Sequence, residues 1–303
     1  MIATTAVTVT RAVDERPQPA VIDTRLGTVE CAAYGDGPAV LCLHGAMGGY
    51  DQGLILADTL GESGYRYLAP SRPGYLGTPL SRGRSPEAQA DLYAAVLDSL
   101  GIQRAAVMAV SGGGPSAIHF ALRHAHRCWA LVLVSAPAGK VDNRPPLRFT
   151  LMKALAHVPW FARSLRRRAE DQPESIARRS IADPVLFAQT IQNAEAWDLL
   201  KRLQRSTMDR MTRRFAGTDN DVEVAAKRTY PLEAVTVPTL VVQGTADPLV
   251  PFHQNGQVFA LQLPGAELVA LEGGGHAAIF SHRDEARQKV TRFLRRCAPG
   301  ATV

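Results

Sequence analysis

Cysteine is scarce in this chain: Cys31, Cys42, Cys128 and Cys297 are the only four in 303 residues. No two stand in C-x-x-C spacing, which excludes a disulfide-stapled scaffold and a Cys-rich zinc site. They read as reduced thiols of a cytoplasmic protein, with Cys42 and Cys128 in or beside strand patterns as packing residues. No apolar run approaches the roughly 20 residues of a membrane span. The start, Met1-Ile2-Ala3-Thr4-Thr5-Ala6-Val7, lacks the basic lead and sustained apolar core of a signal peptide. Neither Gly-x-Gly-x-x-Gly nor a Gly-Lys-Ser/Thr ending is present, so the glycines form no nucleotide fingerprint. Internal repeats, heptads and low-complexity tracts are also missing. No metal and no organic cofactor is expected.

What is present suits one large core: 303 residues, 46% of them hydrophobic. Residues 1 to about 20 read as a loose arm ending in Arg16-Pro17-Gln18-Pro19. Short strands follow near Val21–Asp23 and Thr28–Ala33, then a strand over Pro38–Leu43 and a helix over Gln52–Ser63. Another strand at Tyr67–Ala69 precedes a helix over Pro86–Leu100. The apolar run Ala105-Ala106-Val107-Met108 leads into Ala109-Val110-Ser111-Gly112-Gly113, with a helix after it to about His126. The strand Trp129–Val134 closes this half. From Lys140 to about Tyr230 the pattern becomes helical, punctuated by Pro145-Pro146, Pro159, Pro173 and Pro184. Strand-like runs return at Thr239–Gln243 and Glu267–Glu272. Alternating strands and helices on both sides of an insertion fit one doubly wound sheet.

Chemistry concentrates where strands end. Small-x-Ser-x-Gly between a strand and a helix is the setting of a nucleophile elbow, a turn tight enough to push the serine to positive φ. Ser111 is thus a candidate nucleophile, with the following Gly112 N–H free to donate to an oxyanion. A plain Gly-rich turn is the bland alternative. A serine hydroxyl needs a histidine to take its proton and a carboxylate to orient that histidine. Asp247 lies just after the Thr239 strand, and His276 lies in Gly273-Gly274-Gly275-His276 after the Glu267 strand. The competing acid is Asp142, after the Trp129 strand; competing bases are His253 and His282, neither of which follows a glycine-rich strand end. His44, in His44-Gly45-Ala46-Met47-Gly48-Gly49, and Arg72 read as ordering residues.

Five pieces in register, the His44-Gly45 loop, Arg72-Pro73-Gly74-Tyr75, the Ser111 elbow, the Asp247 loop and the Gly275-His276 loop, resemble an α/β-hydrolase-fold serine hydrolase over about Val21–Arg296. Ala109 stands where glycine is more usual. The resemblance implies a mostly parallel doubly wound α/β sheet with a helical cap inserted after the strand that follows the nucleophile helix. That places the core at 21–139 and 231–303 and the cap at 140–230. It implies Ser111, Asp247 and His276 as catalytic residues and the Ala46 and Gly112 amides as the oxyanion hole, each worth about 3 kcal/mol.

The expected function is hydrolysis of carboxylic esters of small to medium, mainly apolar substrates through an acyl-enzyme. A serine at position 111 argues against relatives that use an aspartate nucleophile. Carbon–carbon hydrolysis of an anionic diketone-type ring-cleavage product, perhydrolase or lactonase chemistry, and a ligand receptor of the same fold stay open. Residues 140–230 hold 18 Lys and Arg against 11 Asp and Glu, a charge read first as solvated helix faces and second as attraction for anionic substrates. Phe149, Met152, Leu155, Trp160, Phe161, Phe187, Trp197 and Met208 are the pool from which a pocket wall is expected. The partner is a small-molecule ester; no nucleic-acid motif accompanies the basic residues. A homodimer is compatible with the sequence, which identifies no interface.

Overall fold

A computed structural model describes residues 17–141, 147–227 and 229–300. Its centre is an eight-stranded sheet built from β1 (Ala20–Thr24), β2 (Gly27–Tyr34), β3 (Ala39–Leu43), β4 (Arg66–Pro70), β5 (Ala105–Val110), β6 (Cys128–Val134), β7 (Thr239–Gly244) and β8 (Glu267–Leu271). In space they run β1-β2-β4-β3-β5-β6-β7-β8. The pairs β1–β2 and β2–β4 are antiparallel, and all later pairs are parallel. The loose arm expected to reach about residue 20 gives way to strand at Ala20, and residues 1–16 lie outside the described ones.

Every residue of β3, β6 and β7 is buried, as strands covered on both faces must be. Side chains alternate between two cores. Val40, Cys42, Met108, Val132 and Val242 face one side, with Ile55 and Leu56 of α1 (Tyr50–Leu60) and later Phe293 and Leu294 of the last helix. Leu41, Leu43, Val107, Leu133 and Val241 face the other, under Tyr93 and Leu97 of α2 (Pro86–Ser99) and Ile118 and Phe120 of α3 (Gly114–Arg123). Burying a Leu or Phe contributes about 1.5–3 kcal/mol, so these two layers fix the register.

Local signals set the helix ends. Ser85 accepts from the Ala88 N–H and Pro86 opens α2, the arrangement that satisfies otherwise orphaned amides. The helix α3 stops at Arg123, short of the expected His126. His124 leaves helical geometry at φ −126° and ψ 38°, and a separate 3-10 turn covers Ala125–Arg127.

Six helices lie between β6 and β7: α4 (Leu147–Leu155), α5 (Pro159–Asp171), α6 (Pro173–Ser180), α7 (Pro184–Gln192), α8 (Ala194–Met208) and α9 (Phe215–Lys227). Pro159, Pro173 and Pro184 each stand in a first turn, where the missing N–H has no helical partner to lose. Asp183 accepts from the Val185 and Leu186 N–H groups and caps α7. Most of the 140–230 charges are paired or solvated. Arg202 meets Asp58 at 2.7 Å, Arg214 meets Asp51 at 2.7 Å and Lys201 meets Asp198 at 3.8 Å, while Arg167 and Arg168 are exposed. After β7 come α10 (Gly256–Gln262), α11 (Ala278–Ser281) and α12 (Arg283–Cys297). Among the described residues no helix is long and apolar enough to cross a membrane. Burial pushes the Cys31 and Cys128 thiols up to about 12; all four cysteines are free.

Candidate active site

The chain leaves β3 toward β4 on one side and enters β5 on the other. Such a reversal opens a crevice at the carboxyl ends of the strands. The pairing of Leu43 with Ala109 brings the two strand ends level. Residues 44–49 follow β3, and Ser111 follows β5.

Ser111 has φ 50°, a left-handed conformation costing a serine about 1–3 kcal/mol. It opens a short 3-10 turn, Ser111–Gly113, that runs directly into α3. The strand and helix on either side hold that turn, so the strained residue presents its hydroxyl beyond the sheet edge. Ala109 is fully buried and small enough for this packing.

His276 reaches Ser111 from the loop after β8, its Nε2 standing 3.1 Å from the Ser111 Oγ. Its Nδ1 is 2.8 Å from the Asp247 Oδ2. The other Asp247 oxygen accepts from the backbone N–H groups of Leu249 at 2.9 Å and Val250 at 3.0 Å. Both Asp247 oxygens are therefore committed, and its side chain is excluded from solvent. Gln243 donates to the Val250 carbonyl at 2.6 Å and anchors the same loop from β7. The acid and histidine loops touch directly: Ala246 N–H donates to the Gly274 carbonyl at 2.9 Å. A Cβ on Gly244 would overlap that carbonyl, so only glycine permits the approach. Of the competing residues, Asp142 lies outside the described ones. His253 and His282 do not line the cavity at Ser111, and His282 instead meets Ser281 Oγ at 3.0 Å.

The Ala46 amide nitrogen lies 3.4 Å from the point where a Cβ on Gly112 would stand, so the two expected oxyanion donors border one spot. His44 is wholly buried. It accepts the Arg72 N–H at Nε2, 2.9 Å away, and its Nδ1 lies 2.7 Å from the Gly45 carbonyl. Those partners require the neutral ring with its proton on Nδ1. Burial, aided by the Arg72 charge, holds its pKa well below the usual 6.5. Arg72, expected as an ordering residue, is buried, 1% exposed, with its guanidinium on Asp221 of α9. Tyr75 donates to the same carboxylate at 2.5 Å. Burial, reinforced by Asp221, pushes the Tyr75 pKa well above 10 and keeps its phenol protonated. Nothing local in Asn220-Asp221-Val222 marks Asp221; the only available hint is that a buried arginine needs a carboxylate.

Ser111 and His276 lie at one end of a cavity of about 430 Å³. Its walls include Ile55 and Leu56 of α1, Leu203 and Thr207 of α8, and Ile279 and Phe280 of α11. Arg179 and Ser180, at the end of α6, reach the rim. Among the described side chains, none of the aromatics and methionines expected as pocket wall lines it. Phe187 is buried in the main core and Trp197 packs against it. Met152 and Met208 pack around Ala156, Met211 and Phe215. Trp160 is 65% exposed, and the Phe149 side chain lies outside the described ones. Helical periodicity marks which residues are buried, but not which partner they are buried against. The true wall comes largely from α1 and α11, core helices whose apolar faces look like ordinary packing in sequence. Among the described residues no cluster of His, Cys, Asp and Glu could hold a metal ion.

A solved structure of an alpha/beta hydrolase fold protein from Nakamurella multipartita superposes with a TM-score of 0.82 at 35% identity, covering 91% of this chain and 99% of that one. An uncharacterized hydrolase of Bacillus subtilis is 29% identical over 82% of this chain and 88% of its own length. A 2-hydroxy-6-oxononadienedioate/2-hydroxy-6-oxononatrienedioate hydrolase of Pseudomonas putida is 26% identical over 84% and 87%. The model of the alpha/beta hydrolase fold matches residues 38–283, a span that holds Ser111, Asp247, His276 and both amides, and the chain belongs to that hydrolase family.

Proposed function

We propose that this hydrolase cleaves carboxylic esters of small to medium apolar substrates through an acyl-enzyme on Ser111. The observation that carries the reading is the continuous Asp247–His276–Ser111 hydrogen-bond chain at the end of an apolar cavity. In this mechanism His276 Nε2 takes the Ser111 proton as Oγ attacks the ester carbonyl carbon. The Ala46 and Gly112 N–H groups receive the oxyanion. Asp247 stabilises the imidazolium and holds the tautomer that keeps Nε2 basic. His276 then protonates the departing alkoxide, and water, deprotonated by the same nitrogen, releases the acid. Residues 140–230 act as a cap over a core formed by 21–139 and 231–303, with α6 and α8 closing the cavity. The substrate is a small molecule.

A second reading rests on Arg179. Arg179 is among the residues lining an otherwise mainly apolar cavity, and no carboxylate pairs with it among the described residues. An anionic group on the substrate would pair there. The Pseudomonas putida relative is named for hydrolysis of a dioate, so carbon–carbon hydrolysis of an anionic ketone is the alternative reaction at the same serine.

The test is a p-nitrophenyl ester series, acetate to decanoate, run with wild type and Ser111→Ala. Turnover that is lost by at least about 10³-fold in the variant, with a chain-length optimum, supports the esterase reading. Turnover equal in both proteins removes Ser111 from the mechanism. Folded wild type that is inert on every ester but cleaves an anionic ring-cleavage ketone moves the assignment to the second reaction.

A further inference from the structure

The helix α9 grips both halves of the oxyanion hole. On the β3 side, Thr218 Oγ1 accepts the Met47 N–H at 3.0 Å, one residue beyond Ala46. Met47 itself has φ 56°, a conformation that needs such support. Arg214, immediately before α9 and wholly buried, donates to the Met47 carbonyl at 3.3 Å and to both oxygens of Asp51 at 3.2 and 2.7 Å. On the β5 side, the Asp221 carboxylate lies against Gly112. A Cβ there would stand 2.7 Å from Asp221 Oδ2, so with that carboxylate held in place glycine is the residue that fits at this position. Asp221 is held in place by Arg72, whose Nη1 donates at 3.0 Å and whose Nη2 meets the other oxygen, and by Tyr75. Arg72 in turn gives its backbone N–H to His44, beside Gly45. A closed circuit thus runs from Gly45 through His44, Arg72 and Asp221 to Gly112. None of Arg72, Tyr75 and Asp221 lines the substrate cavity.

The geometry points to Asp221 as a positioning residue that sets the separation of the Ala46 and Gly112 amides, making α9 a fixed wall of the oxyanion hole. This rests on the serine mechanism proposed above.

Charge and position predict opposite signs, which makes the inference decidable. Asp221→Asn uncovers the buried Arg72 charge beside the developing oxyanion. Acting only as a charge, Asp221 opposes the reaction, and its removal speeds it. Acting by position, its removal slows the reaction, because donors displaced by a fraction of an ångström lose their aim. Labelling with a fluorophosphonate tests this independently of the natural substrate. The Ser111 oxygen bonds to phosphorus, fluoride leaves with the electron pair of its bond, and His276 takes the serine proton. Wild type, Asp221→Asn and Tyr75→Phe are compared, with Ser111→Ala as control. Tyr75→Phe keeps the Arg72–Asp221 ion pair and removes only the hydrogen bonds of the phenol, to Asp221 and from Arg72, so it serves if the first variant does not fold.

The expected result is labelling slowed on the order of tenfold or more in Asp221→Asn and several-fold in Tyr75→Phe. KM on an ester should hold within about twofold, because the cavity lining is untouched. Faster labelling, or rates equal to wild type in the folded variants, overturns the positioning role while leaving Ser111 as nucleophile. Loss of thermal stability with normal rates per folded molecule assigns Asp221 to structure alone and also overturns it. Failure of wild type to label at Ser111 overturns the serine mechanism and this inference with it.

Discussion

Asp247 shows how much one side chain is asked to do. One carboxylate oxygen holds His276, and the other receives two backbone N–H groups. Replacing it with asparagine preserves the shape but puts an amide N–H where an acceptor is needed. Either the His276 tautomer reverses or the amide loses its own loop contacts. Activity on esters is expected to fall by about 10⁴, the size of the equivalent loss in a serine-protease triad, with KM little changed and the fold intact by circular dichroism. A loss of tenfold or less would mean that another carboxylate orients His276. Ser111, Asp247 and His276, which the structure joins in one hydrogen-bonded chain, stand out in sequence because each follows an apolar strand run with a short polar or glycine-rich loop, a local signal. The sequence hid Asp221, Gln243 and Arg214 because their roles depend on partners 149, 7 and 163 residues away. Even the seven-residue contact of Gln243 bridges a loop whose shape no local pattern specifies.

Elements follow the same division. The strands of the sheet were legible to within a residue or two, since apolar runs bounded by Gly, Pro and polar residues have few other ways to be buried. The prolines of α5, α6 and α7 correctly marked helix boundaries, and the capping residues Asp183 and Asn193 fix the starts of α7 and α8. What stayed dark was how these helices sit on the core. Amphipathic faces predict burial in general, so Phe187 and Trp197 looked as eligible for the pocket as Leu203, which lines it. The placement of α6 carries its own prediction. Its last turn lies against the His276 loop, with the Ser180 carbonyl 3.2 Å from where a Cβ on Gly275 would stand, and it delivers Arg179 to the cavity. Arg179→Gln should lower the kcat/KM ratio of an acid-bearing ester over its neutral counterpart by about tenfold, the worth of one charge-assisted hydrogen bond. An unchanged ratio would make Arg179 a solvated rim residue and remove the main support for an anionic substrate.

For the whole molecule, the network around the proposed oxyanion hole is expected to make folding depend on protons. His44 sits at the junction of β3, the 70–76 loop and, through Arg72, α9. Its ring is wholly buried and must be neutral to accept the Arg72 N–H. In the unfolded chain it titrates near pH 6.5; in the folded chain burial, together with the Arg72 charge, places its pKa well below that. Between those two values the unfolded chain binds the extra proton and the native chain does not, so stability rises with pH. The contribution is complete above about pH 6.5 and is lost as pH falls toward the folded pKa, at up to about 1.4 kcal/mol per pH unit. Calorimetric melting of wild type and His44→Gln from pH 7.5 to 5.5 separates this term from the rest, since glutamine offers an acceptor without ionising. The wild-type melting temperature should fall more steeply than that of the variant across this window. Parallel slopes would show that acid sensitivity arises at other groups and that the His44 junction is not proton-linked.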